Sequence, residues 1–162
     1  MRFVEGIEKK IMNIEEAKAR ISAWKVIGKK VAFTNGCFDI LHPGHIFSIA
    51  QAAKEADYLI VGINSDASVK RLKGPERPIN STESRALVMA NLVLVDAVVI
   101  FEQDTPYELI TTLLPDVLVK GGDYTIDTIV GAKEVIENGG KVIINPIVDG
   151  FSTTNIIAKI KN

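Results

Sequence analysis

Both histidines of the 162-residue chain fall in one four-residue stretch, His42-Pro43-Gly44-His45. They stand three positions apart at the start of a helix-like run from Ile46 to Ala56, so one turn of helix brings both side chains to one side. Gly44 removes a side chain where an anion would approach the backbone, and a helix N-terminus adds free N–H donors and partial positive charge. An imidazole titrates near ~6.5 and can donate to a phosphate oxygen when charged or in the right neutral tautomer. The chemistry this arrangement suits is holding a phosphate while it is transferred. Two other readings use the same residues. One is a surface turn with incidental histidines; the other is a zinc site with Cys37, His42 and His45 as three ligands. No further His or Cys exists to close a structural zinc site, and Cys37 fits better as a small buried residue. No metal held directly by protein ligands is expected.

Four other segments carry usable groups. Lys73 and Arg77 flank the proline-punctuated stretch Lys73-Gly74-Pro75-Glu76-Arg77-Pro78, a candidate flap whose cations suit a polyphosphate tail or a second anionic substrate. Loop cations are also commonly just solvated. Gly121-Gly122-Asp123 lets a backbone approach a ligand closely and ends in a carboxylate suited to a hydroxyl or a metal. Ser152-Thr153-Thr154 offers hydroxyls and amides at another helix start, where an ordinary N-cap is the simpler reading. Arg85 either reaches the site or lies on a helix surface. The chain has no Gly-x-Ser-x-Gly, no Gly-x-Gly-x-x-Gly and no Walker Gly-Lys-Ser/Thr loop. Direct transfer between bound substrates therefore fits better than a covalent enzyme intermediate.

Positioning these groups requires alternating strands and helices. Val31–Phe33, Tyr58–Ile63, Ala97–Phe101, Val117–Val119 and Val142–Ile147 are short apolar runs, as strands buried on both faces read. Between them lie helical segments with punctuation. Asn13 with Glu16 forms a capping box before the stripe Ile14, Ala17, Ile21 and Trp24, and Gly28 ends it. Asn80 with Glu83 repeats the device before the segment 86–94. Pro106 suits a first helical position, a helix runs roughly from Ile126 to the stop at Gly139-Gly140, and a last helix follows Thr153. The alternation implies a doubly wound, Rossmann-like α/β domain with a five-stranded parallel sheet. Residues 1–28 read as a helical extension packed on the outside of the segment 29–162, the whole forming a single globular domain. In such folds ligands bind beyond the carboxyl ends of the strands, and several of the loaded segments fall there: Asn35 to His45, Asn64 to Asp66, Lys120 to Asp123 and Asp149 to Thr154.

Bulk properties narrow the function. A net charge of −1, from 19 basic and 20 acidic residues, gives no electrostatic case for nucleic acid or a membrane, so anionic substrates must meet local cations. A single cysteine precludes an internal disulfide and fits a reducing cytosol. The charged residues Arg2, Glu5, Glu8, Lys9 and Lys10 interrupt any signal-peptide core, and the apolar stretch 92–101 contains Asp96 and is too short to span a bilayer. A cytoplasmic location is expected.

The stretch from Phe33 to His45 resembles the signature of the HxGH nucleotidyltransferase superfamily. The similarity continues through Asn64 to Pro78, Leu118 to Tyr124 and Gly150 to Ile157. Lys70-Arg71-Leu72-Lys73-Gly74 and Val119-Lys120-Gly121-Gly122-Asp123-Tyr124 resemble its heptose branch, the adenylyltransferase (C-terminal) domains of ADP-heptose synthases. The resemblance implies transfer of AMP from ATP to D-glycero-β-D-manno-heptose 1-phosphate, with Mg²⁺, giving ADP-heptose and pyrophosphate for the lipopolysaccharide core. It implies catalytic roles for His42, His45 and Lys73, with nucleotide contacts from Gly36, Phe38, Gly44, Gly122, Asp123, Ser152, Thr153 and Thr154. Asp39, Arg77, Arg85 and Lys120 fall to the acceptor side or to structural support. A homo-oligomer is expected. The bifunctional relatives carry a sugar kinase ahead of this domain, so a separate kinase is the expected pathway partner. The stretch Asp149-Gly150-Phe151 departs from what relatives often place before the Ser-Thr-Thr. Other readings remain open: a glycerol 3-phosphate or phosphocholine cytidylyltransferase, an FMN or phosphopantetheine adenylyltransferase, a synthetase-type HIGH protein without its Lys-Met-Ser-Lys-Ser loop, or a non-catalytic nucleotide-binding subunit.

Overall fold

Runs rich in β-branched residues form the strands, and the punctuated segments between them form the helices. The computed structural model describes residues 5–146 and 150–161. In chain order it contains α1 (Glu5–Glu8), β1 (Ile11–Met12), α2 (Ile14–Val26), β2 (Val31–Gly36), α3 (Pro43–Ala53), β3 (Tyr58–Asn64), α4 (Asp66–Lys73) and α5 (Thr82–Ala90). Then follow β4 (Ala97–Phe101), α6 (Tyr107–Leu113), β5 (Val117–Gly121), a 3-10 helix (Ile126–Thr128), α7 (Ala132–Glu137), β6 (Lys141–Asn145) and α8 (Thr153–Lys161).

All pairings are parallel, in the order β1-β4-β3-β2-β5-β6. The sheet is therefore six-stranded rather than five-stranded. The extra strand, β1, pairs only through Ile11↔Val98 and Met12↔Val99, too short to leave a periodic signal. The N-terminal segment expected outside the sheet is thereby tied into its edge. The α2 stripe is buried as its spacing requires: Ala17, Ile21 and Trp24 enter the core, and Trp24 stacks on Tyr58 with ring centroids 4.1 Å apart.

Apolar layers cover both faces of the sheet. On one face α2, α6 and α7 pack over Phe33, Ile60, Val99 and Leu118. On the other, α3 and α5 pack over Ala32, Val61, Val98, Val117 and Val119. Successive residues of each strand alternate between these two layers. Gly62 marks a close approach in β3. A Cβ there would meet the Phe33 ring at 2.8 Å and Leu109 at 3.2 Å.

Several element ends differ from the sequence reading for identifiable reasons. β2 runs on through Thr34-Asn35-Gly36, three residues beyond the apolar run Val31–Phe33. The Asn13–Glu16 capping box is formed. The second box is not, because the Asn80 side chain donates to the Asp39 carbonyl at 2.6 Å, and Ser81 caps α5 instead. Pro106 is the N-cap of α6 rather than its first residue. The long helix expected from Ile126 is split into the 3-10 turn and α7, because Gly131 adopts φ +79° directly over Ile110. Ile147 and Asp149 lie outside the described residues.

Candidate functional site

The chain runs from β2 outward through β3 to β4, then crosses to β5 on the other side of β2. The boundary between β2 and β5 is thus the topological switch point of the sheet. Pairing shows the two strands parting there. β2 and β3 stay in register from Val31↔Tyr58 to Gly36↔Ile63, whereas β2 and β5 pair only at Ala32↔Val117 and Phe33↔Leu118. A cleft of about 650 Å³ opens over this divergence. Its walls include Asn35, Cys37, His42, His45, Ser48, Asn64, Lys73, Arg77, Lys120, Tyr124 and Ser152–Thr154.

The histidine pair enters at the start of α3. His42 is the N-cap with extended backbone and no side-chain capping bond, and Pro43 follows at the first helical position. The helix end is therefore left without a side-chain partner of its own. The two imidazoles stack at 3.7 Å between centroids, 20° from parallel. Phe38 meets His45 edge-on at 5.3 Å, and Phe151 lies parallel to His42 at 6.2 Å. Both Nδ1 atoms are buried without a hydrogen bond of good geometry; the Ile40 carbonyl lies near His45 and only partly offsets its burial. Burial, with the neighbouring His42, pushes His45 down to about 4, and burial lowers His42 as well. Both rings are neutral near pH 7. Gly44 is required by this packing. A Cβ there would meet His42 Nδ1 at 3.0 Å and the Phe151 Cβ at 3.1 Å. Phe38 holds φ +47°, a conformation costly for a bulky side chain, with its ring pressed over Gly36.

A polar frame supports this loop. Asp39, 3% exposed, accepts from Arg77 Nε at 2.6 Å and from the backbone amides of Ile79 and Asn80 at 2.9 Å. Burial alone would raise its carboxyl, but these bonds together outweigh it and hold it below the usual carboxylate range. Arg85, 2% exposed, donates to the carbonyls of Asn80, Cys37 and Asn64, to Asp66 Oδ1 and to Thr82 Oγ1. It is neither a surface residue nor part of the cleft wall; it binds the ends of β2 and β3 to α4 and α5. Asp39 touches the cleft, but its side chain is committed to the loop 77–80. Arg77 is anchored by Asp39 beside the cleft, and Lys73 lies at the C-terminal end of α4 on the same wall.

On the opposite wall, Lys120 Nζ donates to Asn35 Oδ1 at 3.2 Å and stands 5.6 Å from the centre of the Tyr124 ring. Burial lowers its pKa. Gly121 and Tyr124 line the cleft, whereas Gly122 and Asp123 do not. Gly122 turns away at φ +129° with its N–H given to the Asn145 carbonyl. Asn35, Ser48 and Tyr124 are cleft residues to which the sequence reading gave no role. Asn35 and Lys120 had a usable signal: each is a polar residue two positions past an apolar strand position on the same face, Phe33 and Leu118. Ser48 had a weaker one, lying one helical turn after His45. At the remaining wall, Ser152 Oγ accepts from the Asn155 amide at 3.5 Å, and Thr153 donates to the Ile40 carbonyl at 3.4 Å, docking α8 on the histidine loop. Among the described residues, no group of three or more His, Cys, Asp or Glu side chains is placed to hold a metal ion.

Such a site at a switch point has known counterparts. The cytidylyltransferase-like family matches residues 33–159, from the first core strand through the Ser-Thr-Thr helix. The chain belongs to this family. Relatives named bifunctional protein HldE are 52% identical in Rhodospirillum rubrum over 97% of this chain, and 57% identical in Paramagnetospirillum magneticum over 94%. That of Shigella flexneri serotype 5b is 55% identical over 93%. The chain spans about a third of the length of these relatives, 32%, 31% and 32% respectively. The lipopolysaccharide core biosynthesis protein of Thermoplasma volcanium shares the fold with TM-score 0.59 and 27% identity, over 75% of this chain and 98% of that one. A pantoate-beta-alanine ligase of Francisella tularensis, at TM-score 0.59 and 16% identity over 93% of this chain and 76% of that one, shows the same fold alone. The HxGH cytidylyltransferase-like fold thus accounts for the sheet order and for the histidines at its centre.

Proposed function

We propose that this chain transfers AMP from ATP to D-glycero-β-D-manno-heptose 1-phosphate, releasing pyrophosphate and forming ADP-heptose for the lipopolysaccharide core. The observation that carries the reading is the composition of the switch-point cleft. Two neutral imidazoles and two helix N-termini converge with cations on opposite walls, Lys73 and Arg77 facing Lys120. A site able to neutralise two anionic substrates at once needs these groups. The heptose acceptor is supported by the Lys70–Gly74 and Val119–Tyr124 stretches, by identity above 50% to the bifunctional relatives, and by the lipopolysaccharide core protein sharing the fold.

ATP enters with its Mg²⁺ as the substrate complex. His42, His45 and Gly44 receive the triphosphate at the α3 N-terminus, Ser152–Thr154 hold its β/γ end at α8, and Lys73 reaches the phosphates from the facing wall. Gly36 and Phe38 shape the floor, with Gly121 beside them on the cleft wall. An oxygen of the sugar phosphate attacks the α-phosphorus in line, and the bond to the bridging oxygen of the β-phosphate breaks. The electron pair leaves on pyrophosphate. No general base is needed because the attacking phosphate is already ionised; alignment and charge neutralisation carry the rate. Neutral imidazoles donate through N–H without adding a full charge to an already cationic cleft.

The reaction places the protein in the cytoplasm beside a kinase that supplies the sugar 1-phosphate. Among the described residues no helix is long and apolar enough to cross a membrane. Exposed Leu87, Val88, Val93 and Leu94 around the end of α5 support association with another copy or a protein partner. A panel of acceptors with ATP or CTP, read by pyrophosphate release, tests the proposal. Turnover with glycerol 3-phosphate, phosphocholine, phosphopantetheine or FMN in place of the heptose phosphate would replace it, and binding without turnover would make the chain a nucleotide-binding subunit.

A further inference from the structure

The two imidazoles lack the device that ordinarily aims a histidine at a ligand. Such a ring is usually turned by a hydrogen bond from one nitrogen to a carbonyl or carboxylate, which presents the other nitrogen. Here both Nδ1 atoms are buried with no partner of good geometry. His45 has the Ile40 carbonyl beside it; His42 has no comparable neighbour among the described residues. Ring packing remains to set their orientation. Four rings form a column: Phe38 edge-on to His45, His45 stacked on His42, and His42 parallel to Phe151 with 15° between the planes.

The two ends of this column differ in how firmly they are held. Phe38 is 8% exposed, belongs to the apolar layer that α3 covers and presses on Gly36. Phe151 is 42% exposed and stands just ahead of α8. No residue from Phe151 to Ile160 is fully buried, whereas α2 to α7 each contain buried residues. The start of α8 is tied to the histidine loop at two points instead. The Phe151 ring faces His42, with its Cβ against the bare side of Gly44. Thr153 Oγ1 donates at 3.4 Å to the Ile40 carbonyl, the same carbonyl that lies beside His45. Ser152–Thr154 follow Phe151 directly along the cleft wall.

We propose that Phe151 is a positioning residue: it fixes the His42 imidazole in the stacked pair, so that a polyphosphate seated on Ser152–Thr154 draws α8 in and sets both rings. A helix without a buried anchor suits this coupling, because ligand contacts at its N-terminus can shift it between two placements. Phe151 acts through His42 and supplies no polar group of its own. The role rests on the nucleotidyl-transfer reading but not on the identity of the acceptor.

The chain's two histidines are both in this pair, so imidazole NMR signals report on it alone. They are recorded near neutral pH with the Mg²⁺ complex of α,β-methylene-ATP bound, in wild type, Phe151→Leu and Phe151→Tyr. The set lost in His45→Gln assigns the other to His42. Wild type and Phe151→Tyr are expected to show one narrow set for His42, and Phe151→Leu a split or broadened one. In turnover with ATP and the sugar phosphate, Phe151→Leu should lower kcat about tenfold or more and leave the KM for ATP within about threefold. Phe151→Tyr keeps the ring and should retain about half the wild-type kcat or more. The thermal transition of Phe151→Leu should match wild type, since the ring is far from fully buried. A narrow His42 set with wild-type kcat in Phe151→Leu would overturn the assignment. So would a defect confined to KM, or one that Phe151→Tyr fails to rescue. If the wild type releases no pyrophosphate with heptose 1-phosphate, the heptose reading falls alone, and the ring signals still decide the role of Phe151.

Discussion

Two sets of polar side chains meet at the carboxyl edge of the sheet, and they differ in how fully the protein satisfies them. Behind the cleft, Arg85 donates to five acceptors and Asp39 receives one side-chain and two backbone donors. Inside it, the Nδ1 atoms of His42 and His45 find no well-formed partner, and Lys120 rests against neutral groups. Buried polar groups are almost always paired, so the first set reads as frame, while the second lines the cleft with rings and an ammonium that have no protein counter-charge among the described residues. The contrast separates residues that a motif alone would lump together. The resemblance groups Asp39, Arg77 and Arg85 together, yet Asp39 and Arg85 spend their polar atoms holding loops.

The comparison is broken most severely if a ligand-seeking residue proves dispensable. His45→Ala is expected to lower turnover ~10²–10³-fold, with the thermal transition and circular dichroism close to wild type. Near-normal activity would remove the histidine pair from the mechanism. The frame should respond in the opposite sense. Arg85→Met leaves the Cys37 and Asn64 carbonyls without a donor and should cost about 3 kcal/mol in denaturant unfolding, with activity lost in proportion to folding. A stable but inactive Arg85→Met protein would move Arg85 into the site. Gly44→Ala sharpens the boundary, because its Cβ would push His42 or Phe151 by a few tenths of an ångström. It should raise the KM for ATP several-fold with little change in stability; an unaltered KM would show that the pair tolerates displacement.

Acid titration separates the two sets by their windows. The His45 pKa lies at about 4 in the folded chain, below the ~6.5 of an unfolded histidine. Between those values the unfolded state binds more protons, so stability falls as pH drops from about 6.5 to about 4 and then levels for this group. Asp39, held low in the folded state, contributes stability above its unfolded value near ~3.9 that is lost as pH falls through its folded pKa. Unfolding measured across pH should therefore lose part of its slope above about pH 4 in His45→Asn. In Asp39→Asn the slope should change only below that. Identical slopes in His45→Asn and wild type would show that the folded histidine is not desolvated.

How much of this was legible beforehand follows from the physics of each element. The five core strands are unbroken apolar runs and read directly, whereas β1 has two residues and exists only because β4 offers an edge. The histidine loop, Lys73 and Ser152–Thr154 could be placed at one edge because parallel topology forces it. Local chemistry misled where a side chain had a distant partner. Asn80 looked like a cap, but Asp39 claims it across 41 positions. The helix expected from Ile126 breaks at Gly131 because Ile110 occupies the space above it. The resemblance implies nucleotide contacts from Gly122 and Asp123, while strand geometry turns Gly121 and Tyr124 to the cleft. The Asn35–Lys120 bond spans 85 positions and emerges only once β2 and β5 are neighbours.

The central claim is that the unsatisfied groups at the switch point serve transfer of AMP between two phosphates. Incubating the protein with ATP, Mg²⁺ and D-glycero-β-D-manno-heptose 1-phosphate, with pyrophosphate and nucleotide-sugar quantified together, tests it most directly. The account predicts equal amounts of pyrophosphate and ADP-heptose, formed only when all three components are present. Absence of pyrophosphate, or its release without the sugar phosphate, would contradict it.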